Sequence, residues 1–109
     1  MESSAAVKAL SSLAHETRLG IFRLLVEAGV GGLAAGEINQ AMQIAAPTLS
    51  FHLKELANAG LVESRHEGRF IYYQANYAAM NELLAYLTQN CCRGESCMPA
   101  NECKPGAKR

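Results

Sequence analysis

Four cysteines, Cys91, Cys92, Cys97 and Cys103, lie within the last nineteen residues of a 109-residue chain that has no others. Scattered cysteines read as small buried hydrophobes. Four gathered in a polar tail read as thiols kept accessible for a soft element or for redox chemistry. Zinc prefers four ligands in a tetrahedron, often at C-x2–4-C spacing. Cys92-x4-Cys97 admits it, but the chain lacks the two CxxC pairs that a zinc site would favour, so Zn(II) fits less well. A redox pair is also open. A Cys91–Cys92 bond would be strained, which makes Cys97 or Cys103 the better partner. The thiols directly follow an expected helix, whose carboxyl end is partially negative and disfavours thiolate, although Arg93 offsets this. A reactive low-pKa cysteine is therefore less natural here than a ligand for a neutral species.

These thiols need a scaffold, and the composition limits what it can be. The length suits one small domain that gains from dimerising. Half the residues are apolar, yet no run approaches the ~18–20 apolar positions of a membrane span. Met1-Glu2-Ser3-Ser4 lacks the basic-then-apolar order of a secretion signal, so a cytoplasmic location with reduced thiols is expected. Net charge is zero, and residues 1–42 and 43–90 each carry 3 positive and 4 negative side chains, against 4 and 2 in 91–109. Any binding to nucleic acid must use a few placed groups, most naturally in two copies, with a shallow salt dependence.

Periodicity then divides the chain into a domain over 1–90 and a Cys-rich tail over 91–109. Val7, Leu10 and Leu13, with Ala6 and Ala14, predict a short first helix with one apolar face. Leu19, Phe22, Leu25 and Val26 predict a second from about His15 to Ala28, ended by Gly29. Ala35 to Met42 forms a short segment with Leu33, Ile38 and Met42 inward, and Gln43 to Ala46 a turn. Pro47 opens a further helix through Ala59, with Leu49, Leu53 and Leu56 inward and Gly60 at its end. The period then shortens: 61–66 and 69–75 read as two strands joined at Glu67-Gly68. Met80, Leu83, Leu84 and Leu87 mark a last helix from about Tyr77 to Gln89, and Asn90 suits a left-handed ending. His15 and His66 have no partner at ligand spacing and read as surface groups. Arg18 is open to pairing with a nearby carboxylate.

The fold class is mainly α with a β-hairpin, arranged as a winged helix-turn-helix. In that layout the second helix of the pair enters the major groove and the hairpin lies along the backbone. The inward leucines leave Thr48, Ser50, His52 and Lys54 for base edges or phosphates, and Arg65 and Arg69 flank the hairpin within reach of a phosphate.

Three stretches, Ser12 to Leu25, Pro47 to Leu56, and Gly60-Leu61-Val62 through Gly68 to Tyr73, occur in order and at matching spacing. Through them the chain resembles the ArsR/SmtB family of metal-sensing transcriptional repressors. The resemblance implies a non-enzymatic homodimer on pseudo-palindromic operator DNA, repressing its own operon until an inducer binds. It places the dimer contact on the first and last helices, hence on Val7, Leu10, Met80, Leu83, Leu84 and Leu87. The chain also departs from the family. Ala45 and Ala46 stand where many members carry a capping serine and a glutamine; a missing cap costs about 0.5–2 kcal/mol. No thiol lies in Ala35-Gly36-Glu37-Ile38, where the founding arsenic sensors hold a cysteine pair, and residues 77–90 lack the Asp and His of the zinc sensors.

What remains looks like the subgroup whose arsenite site follows the last helix as two adjacent cysteines and a third nearby. That assigns Cys91, Cys92 and Cys97 to As(III), with Sb(III) as a second inducer and Cys103 as a candidate additional ligand. The chemistry suits them, because uncharged arsenous acid condenses with three thiols to a neutral pyramidal trithiolate. Neighbouring helical side chains point about 100° apart, so Cys91 and Cys92 converge only where the chain leaves the helix.

Overall fold

The computed structural model describes residues 1–90. The chain runs α1 (Ser3–Leu13), α2 (Glu16–Ala28), β1 (Leu33–Ala34), α3 (Ala35–Met42), α4 (Ala46–Asn58), β2 (Val62–Glu67), β3 (Phe70–Ala75) and α5 (Tyr77–Leu87). The helices gather around Ile21, Leu25, Ile38, Leu49, Leu56 and Leu61, which are fully buried. They arrive from α2, α3, α4 and the connection leading into β2, so burying them brings those segments into one core.

The α1 face differs from the expected one. Ala6 and Ala9 pack inward, while Val7 and Leu10 are exposed. Small side chains let α1 lie close on its neighbours and leave its larger apolar groups outside. α2 begins with His15, whose Nδ1 accepts from the Thr17 amide at 3.2 Å. His15 is thus the cap of that helix, satisfying an otherwise orphaned N–H. A single α3 carboxylate does similar work: Glu37 Oε1 accepts the Ala34 amide at 2.8 Å.

The sheet has the antiparallel order β1-β3-β2. The β1 strand, which no periodicity predicts, pairs Leu33 with Tyr73 and Ala34 with Tyr72. Gly32 (φ 74°) makes that approach feasible, since a Cβ there would overlap the Tyr73 carbonyl oxygen. Glu67 pairs with Phe70, so the hairpin loop is Gly68-Arg69, one residue later than expected. Gly68 takes φ 66° at the first loop position, the left-handed geometry that tight hairpins require.

The end of α4 is closed by a Schellman arrangement. Leu61 N–H donates to Leu56 O at 3.0 Å and Gly60 N–H to Ala57 O at 2.9 Å, with Gly60 left-handed at φ 79°. Asn76 joins this corner to α5. Its Oδ1 accepts the Ala79 amide at 3.1 Å, its Nδ2 donates to Gly60 O at 3.0 Å, and its backbone N–H donates to Leu61 O at 2.8 Å. One residue later the Tyr77 hydroxyl donates to Val26 O at 2.8 Å.

Candidate nucleic-acid interface

α3, the turn at Gln43 and α4 form the helix-turn-helix. Gln43 adopts a left-handed conformation (φ 58°, ψ 45°), and Asn39 Nδ2 donates to Ile44 O at 3.0 Å across the turn. α4 then starts without a side-chain cap at Ala45, and Pro47 sits in its first turn. Packing holds it instead: α4 lies against α1, α2, α3 and β2, with Leu49, Leu53 and Leu56 buried.

Thr48, Ser50 and Lys54 are exposed on α4, as the spacing predicts. His52 is not: it is 6% exposed and sits in the core-facing row. Its position completes an i, i+3, i+4, i+7 stripe with Leu49, Leu53 and Leu56, and helical geometry turns that row inward. The imidazole is satisfied there. Arg18 Nη1 lies 3.2 Å from His52 Nδ1, and a guanidinium can only donate, so Nδ1 accepts and the proton sits on Nε2. Arg18 Nε also donates to Ser12 O at 2.7 Å. Arg18 therefore braces α1 and α4 instead of meeting a carboxylate. The His15 ring tilts over His52 with centroids 4.8 Å apart. Burial holds His52 below the usual imidazole range; His15 and Arg18 push the same way, and Glu55 opposes them.

On the wing the two arginines separate. Arg69 is exposed. Arg65 is engaged within the molecule, donating to Glu67 Oε2 at 2.9 Å, to Gln74 Oε1 at 3.3 Å and to Gly31 O at 3.0 Å. Its guanidinium also stacks over Tyr72, 5.0 Å from the ring centroid. Arg65 thus fixes the wing to the β1 edge. Sequence reasoning passed over Phe51, which is 56% exposed on α4, and did not foresee that His15 and Arg18 both meet His52.

The residues assigned to the dimer contact also divide. Val7, Leu10, Leu84 and Leu87 are exposed, and Met80 is half-buried against the core. Leu83 turns inward at 6% exposure and belongs to the core. Beside it lies an apolar hollow of ≈ 320 Å³ bordered by Leu19, Phe22, Val26, Met80, Leu83 and Leu84. Among the described residues no helix is long and apolar enough to cross a membrane. None of them forms a group of three or more His, Cys, Asp or Glu able to hold a metal ion. Cys91, Cys92, Cys97 and Cys103, and with them the As(III), Sb(III) and Zn(II) assignments, lie outside the described residues.

A family model described as a helix-turn-helix domain matches residues 13–65. The chain is 35% identical over 78 residues to an arsenical resistance operon repressor of Staphylococcus aureus, covering 72% of each. Among solved structures it is similar to an ArsR-like transcriptional regulator from Rhodococcus sp. RHA1. There the TM-score is 0.70 at 28% identity, over 79% of this chain and 78% of the other. A homodimeric winged helix-turn-helix DNA-binding domain from Mycobacterium bovis matches with a TM-score of 0.63 at 26% identity, over 87% and 88%. Fold, helix-turn-helix and wing, with relatives named as repressors and regulators, define a winged-helix transcriptional regulator. The chain belongs to the ArsR/SmtB family of such regulators.

Proposed function

We propose that this chain represses an arsenic-resistance operon in the cytoplasm and leaves its operator when As(III) binds Cys91, Cys92 and Cys97. Sb(III), with the same three-coordinate thiol chemistry, is the second inducer. The protein acts as a homodimer through Val7, Leu10, Leu84 and Leu87 with Met80 at the margin. Thr48, Ser50, Lys54 and Arg69 meet operator DNA, while His52 and Arg65 hold the helix and the wing that present them.

The observation that carries this reading is the junction between α5 and the thiols. α5 ends at Leu87 and Asn90 is left-handed at φ 61°, so the helical path is broken immediately before Cys91. Regular helix would turn adjacent side chains about 100° apart, and regular helix does not continue through Asn90. Similarity to the Staphylococcus arsenical resistance operon repressor supports arsenic as the inducer, and similarity to the homodimeric Mycobacterium domain supports the dimer. A conformational change at the end of α5 reaches the reader through Asn76 and Tyr77, because these bind the α4–β2 corner and α2. Two half-sites about 34–36 Å apart tolerate little change in the spacing of the paired helices.

The test is promoter binding by the full chain, with and without arsenite, repeated after Cys91→Ser, Cys92→Ser and Cys97→Ser singly and together. Release by arsenite with about one arsenic per subunit, lost in the triple variant, is expected. Unchanged release by the triple variant would overturn the ligand assignment. Release by peroxide without arsenite, with a disulfide found by mass spectrometry, would replace metalloid sensing with oxidation sensing.

A further inference from the structure

We propose that Phe51 reads thymine C5-methyl groups in the major groove, making it a specificity-determining residue of α4. The inference rests on the DNA-binding reading above and goes beyond it by naming the base feature recognised.

Successive residues on a helix turn by about 100°, so Leu49, His52, Leu53 and Leu56 set the direction of the buried face. Directly opposite run Pro47, Phe51, Lys54 and Asn58, one stripe at i, i+4, i+7 and i+11, all exposed. Thr48 and Ser50 fall on its two flanks. A helix laid into the groove on its solvent side meets base edges first with this stripe, and its amino-terminal half makes the base contacts. Phe51 is the central side chain there. It is also the one large apolar residue of α4 left exposed.

A second observation concerns the aromatic neighbour of this ring. Phe51 meets His52 edge-on, with centroids 5.4 Å apart and planes at 64°. His52 is itself held by Arg18 at 3.2 Å and covered by His15. The phenyl thus has an aromatic neighbour on its core side before any DNA arrives. A phenyl group can neither donate nor accept a conventional hydrogen bond, so it cannot pair with guanine O6 and N7, adenine N6 or cytosine N4. The apolar feature of the major groove is the thymine methyl, and Phe is among the side chains that contact it.

The test uses the full-length protein and a duplex from upstream of its own gene, made once with thymine and once with deoxyuridine throughout. Anisotropy titrations compare wild type, Phe51→Ala and Phe51→Leu, with urea midpoints confirming that each variant is folded. Losing one buried methyl weakens binding about fourfold, so loss at both half-sites weakens wild type about fifteenfold. Phe51→Ala should bind the thymine duplex correspondingly less tightly and lose less than twofold on deoxyuridine, with Phe51→Leu between. Any effect of deoxyuridine on DNA shape is common to all three proteins and cancels in the comparison. Equal losses for wild type and Phe51→Ala, or wild-type affinity in Phe51→Ala, would overturn the inference while leaving DNA binding intact. If wild type fails to bind the thymine duplex, the DNA-binding reading itself falls, and this one with it.

Discussion

His52 shows how one side chain can serve both the core and the reading surface. Its Nδ1 accepts from Arg18, an arrangement available only to the neutral ring, since a protonated imidazole would turn a donor toward a guanidinium. Its folded-state pKa lies below the ordinary 6.5, with Arg18, His15 and Glu55 as its charged and titratable neighbours. The unfolded chain therefore takes up this proton first as pH falls. Stability should hold above about pH 6.5, decline as pH drops below it, and level off once the folded ring also titrates. Urea unfolding between pH 8 and 5 checks this. His52→Gln, which keeps an acceptor for Arg18 but does not titrate, should flatten that part of the profile; an identical slope in both proteins would count against it. The same residue marks a limit of sequence reading. The spacing of Leu49, His52, Leu53 and Leu56 already described an inward row, but the residue type argued for the surface. Only the structure supplies Arg18, thirty-four positions away, as the reason a histidine is tolerated there.

Among the elements, the helices were legible because their apolar periods are long and their ends are marked by Gly29, Pro47, Gly60 and Asn90. β1 was not, because two residues carry no period and exist as a strand only through pairing with β3. The wing loop shifted by one residue for a related reason: Gly68 marks a turn, but the Glu67–Phe70 pairing decides its register. Substitutions at two positions test these joints. Gly32→Ala should destabilise the domain in urea, because its Cβ meets the Tyr73 carbonyl at a left-handed backbone position. Asn76→Ala removes both the α5 cap and the bond to Gly60 O, and should cost about 1–3 kcal/mol. Asn76→Asp keeps the cap and loses the donor, so it should fall between. A wild-type midpoint in Asn76→Ala would mean that the α4–β2 corner does not depend on α5.

For the whole molecule, charge and exposed apolar surface point toward two copies. The chain has no net charge, and with Arg65 engaged in the wing, Lys54 and Arg69 are the exposed cations of α4 and the hairpin. The proposed dimer then offers four such groups, and the slope of log K against log salt should be about −3.6. A slope twice as steep would show phosphate contacts from elsewhere, such as the basic residues after 90. Leu84→Glu with Leu87→Glu should yield a folded monomer by sedimentation, with operator affinity reduced at least about tenfold, because the second half-site contact is lost. A dimer that persists would move the interface away from α5. The proposed pairing was not legible in Met80–Leu87 alone, since such a stripe serves a core equally well. The structure divides it, with Leu83 inside and Leu84 and Leu87 outside.

The hydrogen bonds that tie α5 to α2 and the α4–β2 corner are concentrated at Asn76 and Tyr77, at the opposite end from the cysteines. In the proposed reading α5 is a short lever between thiols and reader, bonded to the reader at Asn76 and Tyr77. Grafting another ligand set after Asn90, for instance one suited to a different soft ion, should retune what the regulator answers to without changing which promoter it recognises.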